Sequence, residues 1–322
     1  MTVFLEGGLA RRSLGEVGSS ATPRLCMGQW KVLCGVRSRG ARPSTRASKR
    51  DPIGLRNDWH SSYANAMNTT PSFSAHWNVP AGSYFVTGTD TGVGKTWASA
   101  ALVLAQRQAG INTGYMKPVQ TGCYEEAGRR CAPDVEFVQS VTGCGPSHDL
   151  VEAICPYRFL LPASPHLAAT QEQSTIQMDI LLAAYERLAV AHTNLIVEGA
   201  GGIMVPLNKR ELMLDLMKQL RLPVLVVSRA ALGTLNHTLL TVNTIRDAGL
   251  DVAGMILVQS TPPAADAAAA HEEALILEDN QQTLELWSGI PILGRLPYQD
   301  VSEDPNQTRH RIEQIIAAHS QG

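Results

Sequence analysis

The chain has 322 residues, is 44% hydrophobic and carries a formal net charge of −2, enough for a large core in one domain or two small ones. No stretch reaches the roughly 20 apolar residues of a membrane span, and the six cysteines, at 26, 34, 123, 131, 144 and 155, form no CxxC pair, so idle thiols in a reducing compartment are expected. Residues 1–79 hold 11 basic against 4 acidic side chains and the remainder 16 against 25; an acidic body gives no reason to expect nucleic acid as a partner.

Residues 1–79 are rich in Arg, Ser, Gly and Pro, as in "RSRGARPSTRASKRDP", and hold no apolar period for long. The expectation is a basic, disordered extension. Few acids with many Arg and Ser also describe a transit peptide. A third reading is that the segment is no part of the working protein, with Met67 as the start. The body is expected to span residues 80–322.

From residue 83 strands and helices alternate. "SYFVTG" reads as a buried strand, and "KTWASAALVLAQRQAG" as a helix stopped by Gly110. "TGYMKPV" is a second strand, closed by Pro118. "DILLAAYERLAVAH" is an amphipathic helix, and "NLIVEGAGG" a buried strand running into a glycine turn. Then come helix "ELMLDLMKQLR", strand "LPVLVVS", helix "NHTLLTVNTIRDAG" and strand "DVAGMILV". Helix "EEALILEDNQQTLELWSG", strand "IPILGRLP" and helix "QTRHRIEQIIAAH" close the chain. The pattern predicts an α/β fold: a doubly wound, mostly parallel sheet with helices on both faces in a single domain. Ligands of such sheets bind beyond the carboxyl ends of the strands.

The loops at those ends carry the chemistry. In "VTGTDTGVGKTWASA" five residues separate Gly88 from Gly94, one more than the usual phosphate-loop spacing. Glycines there let backbone N–H groups approach an anion at a helix N-terminus. Lys95 would reach the terminal phosphates and Thr96 would offer its hydroxyl to Mg²⁺. Glu198, directly after an apolar strand, suits the one or two carboxylates that a phosphate-bound Mg²⁺ takes. Asp134, after Pro133, is either a further ligand or a helix cap. Lys117 ends a strand, where it can neutralise transferring phosphoryl oxygens, and Thr121 adds a hydroxyl nearby. Gly233, Thr234, Leu235 and Asn236 begin a helix whose free N–H groups could hold a carboxylate, unless Thr234 or Asn236 only caps it. His166 and His237 read as structural.

Together "FVTGTDTGVGKT", "KPVQTG", "LIVEGAGG", "LGTLNHTLLT" and "TPP" resemble dethiobiotin synthase, over about Tyr84 to Pro297. That family's phosphate loop has the same extra residue. The resemblance implies closure of a ureido ring on 7,8-diaminononanoate (7,8-diaminopelargonate) with CO2 and a Mg²⁺-bound triphosphate, ATP or another, giving dethiobiotin, ADP and phosphate. It further implies Thr96, Asp134 and Glu198 as metal ligands, with Lys117 and Lys95 catalytic and Thr121 near the substrate. Gly92, Val93, Gly94, Lys95, Thr96 and Trp97 would hold the phosphates. Asp134, Glu198, Gly199, Ala200, Gly201, Val258, Gln259 and Pro297 would surround the nucleotide. Residues Gly233 to Asn236 would meet a substrate carboxylate across a homodimer interface, in a cytoplasmic enzyme, or an organellar one if the extension is a transit peptide. Two departures stand out: Gly92 where some members carry an acid, and Val258–Gln259 where many have Asn.

The competing class is a partition- or switch-type ATPase of the same phosphate-loop group. Such proteins generally carry a second Lys early in the loop, where this chain has Gly88, Thr89 and Asp90. An amidotransferase-linked amide ligase would need a glutaminase domain that the chain has no room for.

Overall fold

The computed structural model describes residues 75–145, 150–262, 264, 266–300 and 302–318. Met67, Cys26, Cys34 and Pro263 of the "TPP" motif lie outside the described residues, as does the extension up to residue 74. A seven-stranded sheet forms the centre. Its strands are β1 (His76–Trp77), β2 (Tyr84–Gly88), β3 (Thr113–Met116), β8 (Asn194–Gly202), β9 (Val224–Arg229), β10 (Val252–Val258) and β11 (Ile292–Leu296), in the order β1-β11-β10-β9-β2-β8-β3. Every pairing is parallel except β1 on β11.

The apolar runs explain the burial. Phe85, Val86, Ile196, Val197, Val226, Val227, Met255 and Ile256 are fully buried, as residues of a parallel sheet covered on both faces must be. β2 lies in the middle. Its chain continues through helix α1 (Lys95–Gln108) to β3, while β9, β10 and β11 step outward on the other side through α7 (Thr234–Asp247) and α8 (Ala267–Ser288). With right-handed crossovers these two directions place helices on opposite faces. Accordingly α1 packs with α2 (Pro133–Thr142) and α9 (Pro305–Ala317), whereas α7 packs with α8, and α5 (Met178–Ala191) with α6 (Met213–Leu220). Ala98, Ala100, Ala101, Leu102, Val103 and Leu104 of α1 are all buried, because α1 is enclosed between the sheet and other helices. The loops after β2 and after its neighbours β8 and β9 leave toward opposite faces, which opens a crevice at their carboxyl ends.

Three local differences from the sequence reading concern positions near that crevice. The sheet reaches ahead of residue 80, for Trp77 of β1 is buried over Gly294. The strand holding Glu198 does not stop at a glycine turn but runs on to Gly202, which pairs with Gly88. A Cβ at Gly202 would lie 3.3 Å from the Gly88 carbonyl oxygen, so glycine lets the two backbones stay close. Short elements without a readable period also fill the stretch after β3. They are β4 (Val119–Thr121) paired with β7 (Tyr157–Phe159), the hairpin β5 (Tyr124–Glu126) and β6 (Arg129–Cys131), and helices α3 (Val151–Ile154) and α4 (Pro165–Gln171).

Candidate active site

The loop from β2 to α1 shapes one wall. Gly94 is the N-cap of α1 with φ 95°, and no side chain caps the helix, so its first N–H groups are left for an anion. A side chain at Gly94 is excluded twice over: its Cβ would need that left-handed φ and would meet Val258 Cγ1 at 2.6 Å. A Cβ at Gly88 would meet Val93 at 2.8 Å and the Lys95 Nζ at 3.0 Å. Lys95 is buried, and its ammonium donates to the Asp90 backbone carbonyl at 2.9 Å. Burial first, then the neighbouring charge of Lys117, lowers its pKa to about 8, against the pull of Glu198, Asp134 and Asp90. Asp90 itself pairs with Arg229 at 3.0 Å.

The opposite wall is a knot of charge. Glu198 is fully buried, and its Oε1 accepts from the Thr96 hydroxyl at 2.9 Å and from the Lys117 ammonium at 2.6 Å. Tyr115 Oη donates to the other oxygen, Oε2, at 2.9 Å. Lys117 also lies 2.6 Å from Asp134 Oδ2. Burial alone would lower the Lys117 pKa; the Glu198 and Asp134 carboxylates outweigh it and hold the ammonium above the usual lysine range. Tyr115 is held well above its ordinary value, by burial first and the Glu198 charge next, so its phenol stays a donor. Asp134 does not cap α2, whose N-cap is Ala132 without a side-chain cap bond; its carboxylate goes to Lys117.

These residues surround a cleft of about 980 Å³. Of the residues expected from sequence, Gly92, Gly94, Lys95, Thr96, Trp97, Lys117, Thr121, Asp134, Glu198, Ala200, Gly201, Val258 and Gln259 line it. Val93 is buried beneath the loop, and Gly199 and Pro297 are not in the wall, although Tyr298 and Gln299 beside Pro297 are. Gly233, Thr234, Leu235 and Asn236 lie away from this cleft. Gly233 is itself the N-cap of α7, with φ 89° and no side-chain cap, so neither Thr234 nor Asn236 caps that helix. His166 and His237 are exposed and outside the cleft. Among the described residues Cys123, Cys144 and Cys155 are buried free thiols and Cys131 is half-buried.

Sequence reasoning passed over the segment Pro162–Pro165 and Phe137, which also line the cleft. Pro165 at the start of α4, just after Ser164, was a readable helix-start signal. Tyr115 had no such signal.

Oxygen donors alone converge here: one hydroxyl and two carboxylates, with an ammonium between them. That set suits a small hard cation on a phosphate. No group of three or more His, Cys, Asp or Glu side chains that could hold a metal occurs among the described residues, so a cation would share its coordination with other oxygens.

The fold and site define a phosphate-loop α/β protein of the nucleoside-triphosphate-binding class. A family model described as an AAA domain matches residues 82–306. The chain is 46% identical over 178 residues to the ATP-dependent dethiobiotin synthetase BioD of Anaeromyxobacter dehalogenans, covering 55% of this chain and 77% of that protein. It is 39% identical over 214 residues to the same-named protein of Methanocaldococcus jannaschii (65% and 91% covered). For the Bacillus velezensis protein the identity is 37% over 238 residues, with 73% and 94% covered. Among solved structures, the MinC:MinD cell division protein complex of Aquifex aeolicus aligns with TM-score 0.45 at 13% identity, over 75% of this chain and 97% of that chain. The chain belongs to the ATP-dependent dethiobiotin synthetase family.

Proposed function

We propose that the protein is an ATP-dependent cyclo-ligase of biotin biosynthesis that closes the ureido ring of dethiobiotin on 7,8-diaminononanoate. The observation that carries this reading is the meeting of Lys95, Lys117, Thr96, Asp134 and Glu198 around one cleft, in a chain of that family. The relatives favour it over a switch-type ATPase.

In the proposed reaction one amine takes up CO2 as a carbamate and releases a proton. A carbamate oxygen attacks the γ-phosphorus, and ADP leaves with the bridging electrons. The second amine then attacks the carbamoyl carbon of the mixed anhydride, phosphate departs, and the amine loses its proton. Positioning and charge stabilisation are what such phosphoryl transfer needs from a protein. The free N–H groups at the start of α1 and the Lys95 ammonium bind the phosphates. Lys117, held charged by two carboxylates, faces the transferring oxygens, and Thr121 orients the carbamate. Thr96, Asp134 and Glu198 would hold Mg²⁺, which when bound supplies further positive charge on the phosphates.

The Val258 side chain lies against Gly94 and has no polar atom, and the Gln259 side-chain amide donates to Glu273 at 3.2 Å. Any reading of the base by side chains at these two positions therefore falls to Gln259. We further propose a homodimer in which the start of α7 of one subunit completes the substrate site of the other. Its support is that Gly233 to Asn236 lie off their own cleft, with Leu232 and Leu240 beside them 83% and 60% exposed. The catalytic domain corresponds to residues 80–322 with β1 added, and the family match begins at residue 82. No helix among the described residues is long and apolar enough to cross a membrane; the compartment we propose is the cytoplasm, or an organelle if residues 1–79 act as a transit peptide.

The test is direct. Purified protein is mixed with 7,8-diaminononanoate, bicarbonate, Mg²⁺ and ATP, and dethiobiotin is sought by mass. Product is expected; its absence, with ATP turnover indifferent to the diamine, would sink the reading.

A further inference from the structure

Tyr115 reads from sequence as one more buried strand residue. Its place in the sheet gives it a task. Tyr115 on β3 is the register partner of Ile196 on β8. Side chains alternate along a strand, so Ile196 and Glu198 share one face, and Tyr115 joins them on it. Its phenol is thereby brought to Glu198 Oε2, while Thr96 and Lys117 both meet Oε1. Thr96, Lys117 and Glu198 line the cleft and Tyr115 does not. The carboxylate thus has an inward oxygen, bonded to Tyr115, and an outward oxygen, bonded to Thr96 and Lys117 of the cleft wall.

That division matters for metal choice. Ca²⁺ takes six to eight oxygens and readily uses both oxygens of a carboxylate, whereas Mg²⁺ demands a tight octahedron of single oxygens. We propose that Tyr115 is a positioning residue that makes Glu198 a one-oxygen ligand and so selects magnesium over calcium at the bound nucleotide. This rests on the reading of Thr96, Asp134 and Glu198 as the metal-holding residues.

Tyr115→Phe removes one oxygen and little volume. Binding of Mn²⁺ in the presence of ADP is followed by electron paramagnetic resonance, and Mg²⁺ and Ca²⁺ are titrated as competitors. The variant is expected to lose about 10-fold in Mg²⁺ affinity while Ca²⁺ affinity holds or rises, shifting the ratio about 10-fold toward calcium. A merely structural role would lower the melting temperature and weaken both ions alike; an unchanged ratio overturns the proposal. Should Tyr115→Phe not fold, the wild-type protein decides. With ¹³C at glutamate Cδ, infrared difference spectra on adding Mg²⁺ to the ADP complex should show the widely split carboxylate stretches of a one-oxygen ligand. The narrow splitting of a two-oxygen chelate overturns it. Wild-type protein that fails to bind Mn²⁺ with ADP sinks the metal assignment and this proposal together. A selectivity shift without dethiobiotin formation would sink only the function.

Discussion

Two lysines are buried in the same cleft and are held in opposite ways. Lys95, on the phosphate loop, has a backbone carbonyl as its hydrogen-bond partner and a pKa lowered to about 8 by burial first. Lys117, at the end of β3, sits 2.6 Å from each of two carboxylates, which keep its proton bound. The difference teaches what each wall lacks. The phosphate loop is short of negative charge and favours an anion; the opposite wall sets two carboxylates against one ammonium and is left net negative, which favours a cation.

Substitution should expose that contrast, most strongly at Lys117. Lys117→Ala is expected to cut ring formation at least about 10³-fold, read as dethiobiotin per unit time. It should also destabilise the protein by about 3–5 kcal/mol, because Glu198 is left buried without its cation; urea unfolding measures this. Retained activity would remove Lys117 from the mechanism. Lys95→Met should do the reverse for stability. Nucleotide affinity is expected to fall about 10- to 100-fold with a charge-assisted contact gone, seen by calorimetry. Unfolding without nucleotide should be unchanged or shifted upward, since no buried carboxylate loses a direct partner. If Lys95→Met destabilised the free protein as much as Lys117→Ala, the contrast between the walls would be wrong. The smallest effect belongs to Arg229→Ala. Its pair with Asp90 is between side chains 36% and 56% exposed, so about 0.2–1 kcal/mol is expected, diminishing with salt. A loss of several kcal/mol in thermal melts at low and high salt would mean that this pair anchors the phosphate loop.

The parts of the site that sequence revealed are those with a local signature. Gly88 to Thr96 announce a phosphate loop by glycine spacing and a helix start. Lys117 and Glu198 are charged residues directly after apolar runs, which few structural roles require. Asp134 was ambiguous because a residue after Pro133 at a helix start is so often a cap; the cap is ruled out by the uncapped start of α2 and by the 2.6 Å approach of its carboxylate to Lys117. Tyr115 could not be read, since its phenol meets Glu198 only through the register of β3 on β8. The same holds for β4 and β7, three residues each, too short for a period to show. Gly233 to Asn236 were legible as a helix start, but their proposed partner belongs to another copy of the chain.

The central position of β2 has a consequence for how the molecule is made. Both of its neighbours come late: β8 begins at Asn194 and β9 at Val224. At about 5–20 residues per second on the ribosome, the strand that leads into the phosphate loop waits roughly 5–20 s for its first neighbour. Until then an apolar strand has two open edges, a state prone to wrong pairings. The nucleotide loop is synthesised well before the strands on either side of β2 and cannot be set in the sheet until they have followed.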